Sequence, residues 1–304
     1  MPGPARRPKR ANPTAARPPP ETFAPSAAPN RMAQDPARYS RAAIVLLALN
    51  IGIWLLQVAS GVSPLHASSS ALVAWGGNLP LFTLTGETWR LVTAMFLHGG
   101  VLHLGMNMLA LWMTADRTYD EYGSARMLAI YLAGGILASC ASVLWAERHA
   151  SLAMPVGLLT VSVGASGAVM AQFGALLAAL AITPPRFVSL PADERPGFDL
   201  GLVAIVALNV VIGFVIPHLD VIFGFAIPHV DQAAHIGGLL GGMAVGALMA
   251  GVPRATGARA TLVRYFATAL LVTACVAALL HFAPQDKLVV LRTVWGPQMT
   301  APAR

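Results

Sequence analysis

Seven apolar runs, at 42–60, 91–114, 127–146, 166–182, 200–216, 233–250 and 266–283, constrain this chain more than any other feature. Each is close to the roughly 17–25 residues that cross a bilayer as a helix. Charged residues fill only 11% of the 304 positions and AVILMFWYC fill 56%, where a soluble domain carries about 25% charge. That is too little charge to cover a water-facing surface. The fold class this predicts is all-α, a polytopic membrane helical bundle. Pro184-Pro185, Pro217 and Pro253 follow the fourth, fifth and sixth runs, removing backbone donors where helices finish. The first run is too long for a signal-peptide core, and six more follow it. The first six runs read as one bundle and the seventh as an addition. Cys140 and Cys275 both sit inside apolar runs, which excludes a disulfide scaffold.

The net charge of +7 looks like a nucleic-acid signal until it is mapped. Eight basic residues (Arg6, Arg7, Lys9, Arg10, Arg17, Arg31, Arg38, Arg41) lie in 1–41 against Glu21 and Asp35, so this tail holds +6 of the total. The tail is rich in Pro and Ala without apolar period and reads as disordered. Its prolines argue against an amphipathic transit helix, and Met32 is an alternative start. A basic segment directly before the first run fits the positive-inside rule, with the amino terminus cytoplasmic. Loop 251–265 is then cytoplasmic too and carries Arg254, Arg259 and Arg264 without an acid. Loops 61–90, 147–165 and 217–232 fall outside and hold only Arg90 and Arg148 among basic residues. An Ala/Pro/Arg-rich chain of this kind points to a bacterial inner membrane, and no nucleic-acid partner is expected.

Polar side chains within spans are costly and mark candidate sites. The second run contains H-G-G-V-L-H-L-G-M-N, His98 to Asn107. Gly99-Gly100 should break a regular helix, so the second span is predicted to begin near Val101. His103 and Asn107 are then four apart on one face, near the outer surface. They read either as interhelical hydrogen-bond glue or as a functional pair. The fourth run begins in G-A-S-G, Gly164 to Gly167. Ser166 is either a helix N-cap or a nucleophile left approachable by neighbours without bulk, with free N–H groups at the helix start available to an oxyanion. The sixth run carries A-H-I-G-G-L-L-G-G, Ala234 to Gly242, in which His235 is structural or a base. Gly238 and Gly242 form a small-residue face, as do Gly167, Ala171 and Ala175, and such faces let two helices approach closely. Close approach is what a serine on one helix needs to reach a histidine on another. In this topology His103, Ser166 and His235 all begin spans on the same outer side.

Together Trp89-Arg90, His98 to Asn107, Gly164 to Gly167 and Ala234 to Gly242 resemble the rhomboid family of intramembrane serine proteases, over roughly residues 89–250 and in that family's order. The resemblance implies Ser166 as nucleophile and His235 as general base. It implies an oxyanion hole lined by His103 and Asn107 with the Ser166 backbone N–H. His98 matches a structural histidine near the first loop, and Trp89-Arg90 the pair that ends this loop in the outer leaflet. Gly164, Gly167, Gly238 and Gly242 match structural positions around the site. The implied organisation is a basic tail (1–41), a six-helix protease core (42–250) and, at 251–304, a cytoplasmic loop, an extra transmembrane helix and a short tail. One departure is Tyr119, where the family often has a glutamate four residues before the glycine matching Gly123; it bears on the packing of the loop between the second and third spans.

No third acidic member is evident, since Asp231 reads as a helix cap, so a Ser-His dyad is expected. His281 reads as interfacial. Loop 217–232 is a candidate lid or lateral gate, with Gly224 as hinge. The resemblance implies transmembrane proteins as substrates, in the lipid bilayer; the sequence holds no metal or cofactor constellation, so neither is expected. One rival is a catalytically inactive relative that binds membrane clients. Another is a secondary transporter, which would show an inverted repeat; no second copy of the His103/Asn107 pattern exists.

Overall fold

A computed structural model describes residues 41–148, 160–182, 231–250 and 258–300, with Gly3 alone in the tail. The chain divides into two units, Met1–Arg38 and Tyr39–Arg304, and every described helix belongs to the second. The rest of the basic tail, the run at 200–216, Pro253, and the candidate lid with Gly224 up to residue 230 lie outside the described residues.

The helices are α1 (Arg41–Ala59), α2 (Ser69–Ala74), α3 (Pro80–Thr83), α4 (Arg90–Thr93), α5 (Val101–Tyr122), α6 (Ser124–Arg148), α7 (Ser166–Ile182), α8 (Gln232–Met249), α9 (Ala258–Phe282) and α10 (Gln285–Thr300), with a 3-10 turn at Ala94–Phe96. The chain is thus a helical membrane bundle. By length and apolarity α1, α6, α8 and α9 can each cross a membrane, and a fifth span arises if the pair Arg90–Phe96 and Val101–Tyr122, bent by 93°, counts as one. Helix α7 is apolar but shorter.

The bend has a local cause. Leu97 leaves the turn extended, and Gly100 brings its backbone onto the first loop, where a Cβ would lie 2.0 Å from the Leu65 carbonyl oxygen. The Val101 N–H then donates to the Pro64 carbonyl at 2.8 Å. Only a residue without a side chain fits there, and α5 begins on the next residue.

Helix α7 is apolar on every side, and such a helix belongs in the centre of a bundle. Most of its residues are buried, Ala168, Ala171, Gln172 and Ala175 completely. The small residues of α8 lie against it. A Cβ on Gly238 would sit 2.2 Å from the Gly167 carbonyl oxygen, one on Gly242 2.0 Å from that of Ala171, and one on Gly246 2.5 Å from Ala175 Cα. Backbone touches backbone along this seam, so nothing there can yield to an added methyl. Gly242→Ala is therefore expected to destabilise the fold by about 1–3 kcal/mol, read as a lower Tm in detergent. Gly105→Ala is the control: a Cβ there meets nothing within 4 Å, and its Tm should hold or rise.

Two departures from the sequence reading concern helix ends. Apolarity ended the second span at residue 114, but α5 runs on through Asp116, Arg117, Asp120 and Glu121. It stops where Gly123 takes φ +79° and its N–H closes on the Tyr119 carbonyl at 2.7 Å. Beside it, the Tyr122 hydroxyl donates to the carbonyls of Ala175 (2.6 Å) and Gly246 (3.3 Å), tying together α5, α7 and α8. The second departure is α10, where the sequence reading expected only a short tail. Leu288 and Leu291 of this helix are buried in one apolar cluster with Leu79, Leu81, Phe82 and Leu84. The end of α9 and the first loop therefore lie at the same end of the bundle.

Candidate active site

The first loop, residues 61–100, supports the site and is itself held by one buried guanidinium. Arg90 Nη1 donates to the carbonyls of Val73 (2.7 Å) and Gly77 (3.0 Å), and its Nε donates to Glu87 at 2.8 Å. The Trp89 ring lies 4.6 Å from this guanidinium and covers Gly76, where a Cβ would be 2.6 Å from Trp89 Cζ3. Trp89 and Arg90 thus brace the loop. The loop then pairs with the segment that enters α7: the Asn78 N–H donates to the Ser162 carbonyl (3.0 Å), and the Ser162 N–H donates back (2.9 Å). Two residues on, the Gly164 N–H donates to the Ala94 carbonyl at 2.9 Å.

Ser166 is the first residue of α7 and half-buried. The first helical bond at this end runs from the Val169 N–H to the Ala165 carbonyl, so the N–H groups of Ser166, Gly167 and Ala168 precede the ladder. Gly164 has φ +119°, and a Cβ on it would lie 2.7 Å from His103 Nε2 and 3.7 Å from Asn107 Nδ2. A side chain there is excluded by both strain and space. His103 and Asn107, on the first two turns of α5, therefore face the backbone two residues before Ser166. His103 Nδ1 accepts the Gly99 N–H at 3.4 Å; in a neutral ring this leaves the proton on Nε2, the nitrogen turned toward Gly164. Asn107 Nδ2 donates to the His103 carbonyl at 2.9 Å, while its Oδ1 is buried without a partner among the described residues. His98 lies behind His103 with ring centroids 5.3 Å apart; it is 1% exposed, and neither of its ring nitrogens has a partner among the described residues. Its backbone N–H reaches Gln57 of α1 at 3.3 Å.

The third contribution comes from the first turn of α8. Asp231 caps this helix: its Oδ1 accepts the Ala234 N–H at 2.9 Å and its Oδ2 the Ser142 hydroxyl at 2.5 Å. That occupies the acid in fixing α6 to α8, in keeping with its reading as a cap. His235 is 5% exposed, and its Nδ1 has no partner among the described residues. The Ala234 carbonyl oxygen lies 3.7 Å from where a Gly167 Cβ would be, so the first turns of α7 and α8 abut. Among the described residues the Ser166 hydroxyl and the His235 ring share no hydrogen bond.

The starts of α5, α7 and α8 thus converge, bringing together His98, His103, Asn107, Gly164, Ser166, Gly167, His235 and Gly238; Gly242 lies one turn farther along α8. The sequence reading missed Asn78, which registers the strand-like segment before Ser166, as well as Gln57, Ser142 and Glu87. For Glu87 a signal existed, since it is the one acid in residues 61–100. The chemistry available is that of a partly accessible hydroxyl at a helix start, with an imidazole and an amide facing the preceding backbone and a second buried imidazole on the adjoining helix.

A family profile described as Rhomboid domain matches residues 85–252. Among characterised relatives, Rhomboid protease GluP of Bacillus subtilis is 32% identical over 213 residues, 69% of this chain and 35% of GluP. Rhomboid protease AarA of Providencia stuartii is 32% identical over 225 residues, 70% of this chain and 74% of AarA. RHOMBOID-like protein 5 of Arabidopsis thaliana is 34% identical over 164 residues, 53% of this chain and 44% of that protein. The chain thus spans about a third of the first of these relatives and three quarters of the second.

Proposed function

Because the chain belongs to the rhomboid family, we propose that it is an intramembrane serine endopeptidase that cleaves peptide bonds of transmembrane proteins in or near their spans. Ser166 is the nucleophile and His235 the general base. His103, Asn107 and the Ser166 backbone N–H receive the oxyanion. The observation that carries this reading is the meeting of the first turns of α5, α7 and α8 around Ser166.

A serine hydroxyl is a weak nucleophile until a positioned base takes its proton. His235 sits on the helix abutting Ser166, and burial of its Nδ1 without a partner leaves that nitrogen uncommitted. Catalytic hydrogen bonds are commonly long in ligand-free sites and tighten with substrate. The hydroxyl oxygen attacks the peptide carbonyl, and His235 takes its proton. The resulting oxyanion is held, and the proton passes to the leaving amine. Water then attacks the acyl-enzyme, again with His235 as base. Water must reach the serine, and helix length helps: α7 has 17 residues, about 26 Å, short of a hydrocarbon core of about 30 Å.

Orientation follows from charge. Arg259 and Arg264 open α9, and Arg264 Nη1 donates to the Leu248 and Ala250 carbonyls at 2.7 Å each, closing the far end of α8. By the positive-inside rule these arginines favour the cytoplasm for that end, with the Ser166 end outside a bacterial inner membrane, and the basic residues of 1–41 independently favour a cytoplasmic amino terminus. Residues 42–250 then make up the protease core, with α9 as a span added after it.

A second reading, an inactive relative that binds membrane clients, is favoured by the missing Ser166–His235 hydrogen bond. One experiment separates the two. Purified protein in proteoliposomes is given single-span reporter proteins, and the products are mapped by mass spectrometry. Cleavage within or beside the span is expected from the wild type. Stable binding of reporters without any product would replace the protease reading by the client-binding one.

A further inference from the structure

Helix α10 docks on the first loop through a junction that the proposed reaction does not by itself require. The Glu87 carboxylate is divided between two arginines. One oxygen takes the Arg90 Nε at 2.8 Å, and the other pairs with Arg292 of α10. The Phe82 ring is shared in the same way, with the Arg90 guanidinium 5.2 Å and that of Arg292 4.7 Å from its centroid. Arg292 Nη1 also donates to the Thr85 carbonyl (3.0 Å) and hydroxyl (2.6 Å). One side chain from the last helix therefore holds both the turn after α3 and the acid before α4.

Behind this junction the contacts run on without a gap. Arg90 grips the Gly77 carbonyl at 3.0 Å, and Asn78, the next residue, pairs with Ser162 through two backbone hydrogen bonds. Four residues later the chain reaches Ser166. An apolar path runs alongside: Leu288 and Leu291 of α10 share a cluster with Leu79, Leu81 and Phe82, and Val161 packs against it. A Cβ on Gly77 would be 2.6 Å from Val161 Cγ1. The first loop thus touches α10 on one side and the segment entering α7 on the other.

We propose that Arg292 is a positioning residue for the reaction at Ser166: by clamping Glu87 and Thr85 it fixes the first loop, and through Asn78 the segment that sets the serine. The inference rests on the protease reading. Arg90 holds the loop to its own backbone whether or not α10 is docked, so loss of Arg292 loosens the loop without unfolding it. A small displacement of a nucleophile is enough to slow a reaction while leaving substrate binding intact.

The test uses the full chain in proteoliposomes with a single-span reporter, comparing wild type, Arg292→Ala and Arg292→Lys. Arg292→Ala is expected to lower kcat about tenfold and to change KM by less than about twofold. Arg292→Lys, which keeps the charge on Glu87 but not the two-nitrogen grip on Thr85 and Glu87 together, should recover part of the loss. Amide hydrogen exchange over 76–79 and 160–165 should quicken in Arg292→Ala. If that variant fails to fold, Glu87→Gln, which retains an oxygen for Arg90, should show the same pattern. Wild-type kcat in Arg292→Ala, unchanged exchange at 160–165, or no recovery in Arg292→Lys would each overturn the clamp. If the wild type itself neither cleaves nor reacts with a serine probe, the protease reading fails, and the exchange comparison alone then decides whether Arg292 couples the loop to that segment.

Discussion

Ser166→Ala and His235→Ala are each expected to cut reporter cleavage by about 10⁴–10⁶-fold, and the double variant to fall no further than the worse of the two. In the proposed mechanism the two residues serve one proton transfer, so once the hydroxyl is gone the base has nothing to activate, and without the base the hydroxyl stays protonated. A second readout is independent of any substrate. Wild-type protein should be labelled by a fluorophosphonate, and both variants should not. Ser166 is half-buried at a helix start, so losing its oxygen disturbs little packing. His235 is buried between helices, and its removal leaves a void; His235→Asn, closer in volume, separates a packing defect from loss of the base. Circular dichroism and Tm must remain near wild type for the comparison to count. Labelling that persists in Ser166→Ala would assign the reactive hydroxyl to another residue and sink the proposed nucleophile. Labelling that persists in both His235 variants would leave the serine and remove the base.

The bundle is legible in the sequence because a bilayer imposes length and apolarity together. The run at 166–182 and α7 share both bounds, and Gly99-Gly100 puts the start of α5 at Val101. Where those constraints lapse, the reading lapses with them. Helix α5 continues past Asp116 to Tyr122 because helix propagation needs backbone hydrogen bonds and not hydrocarbon, and it ends only at the left-handed Gly123. Helix α10 has no long apolar run. Its inward residues Leu288, Leu291, Trp295 and Met299 recur at helical spacing, but outward Val289, Val290 and Val294 blur the pattern. What reveals the helix is its docking on residues about two hundred positions away, and pairing at that separation leaves no local signal. The site divides along the same line. Ser166, His103, Asn107 and His235 stand out because each is a polar group at a cost within an apolar run. Asn78 and Ser162, which fix the backbone before the serine, act through N–H and carbonyl groups that every residue possesses.

His103→Ala and Asn107→Ala are each expected to lower kcat by about 10²–10³-fold, as removal of a single oxyanion donor does elsewhere. The hydrogen-bond pattern sets up the donors. With His103 Nδ1 occupied by the Gly99 N–H, a neutral ring presents Nε2–H toward Gly164, and the Asn107 amide, with one hydrogen spent on the His103 carbonyl, has a second to give. Both point at backbone that leads directly into Ser166, where the N–H groups ahead of the α7 ladder have no partner among the described residues. Donors aimed at a charge that exists only in the transition state lower kcat when removed and leave KM nearly unchanged. Helix glue behaves differently: its loss lowers Tm and scatters both constants. Gly164→Ala makes the same point without touching a donor, because the new methyl would fall 2.7 Å from His103 Nε2 and must displace the ring. It should cost at least the kcat loss of His103→Ala, and adding it to His103→Ala should cost more still, because removing the ring relieves the clash but not the strain of an alanine at φ +119°. A rise in KM at constant kcat in the two donor variants would move His103 and Asn107 from the oxyanion to the binding of the substrate chain.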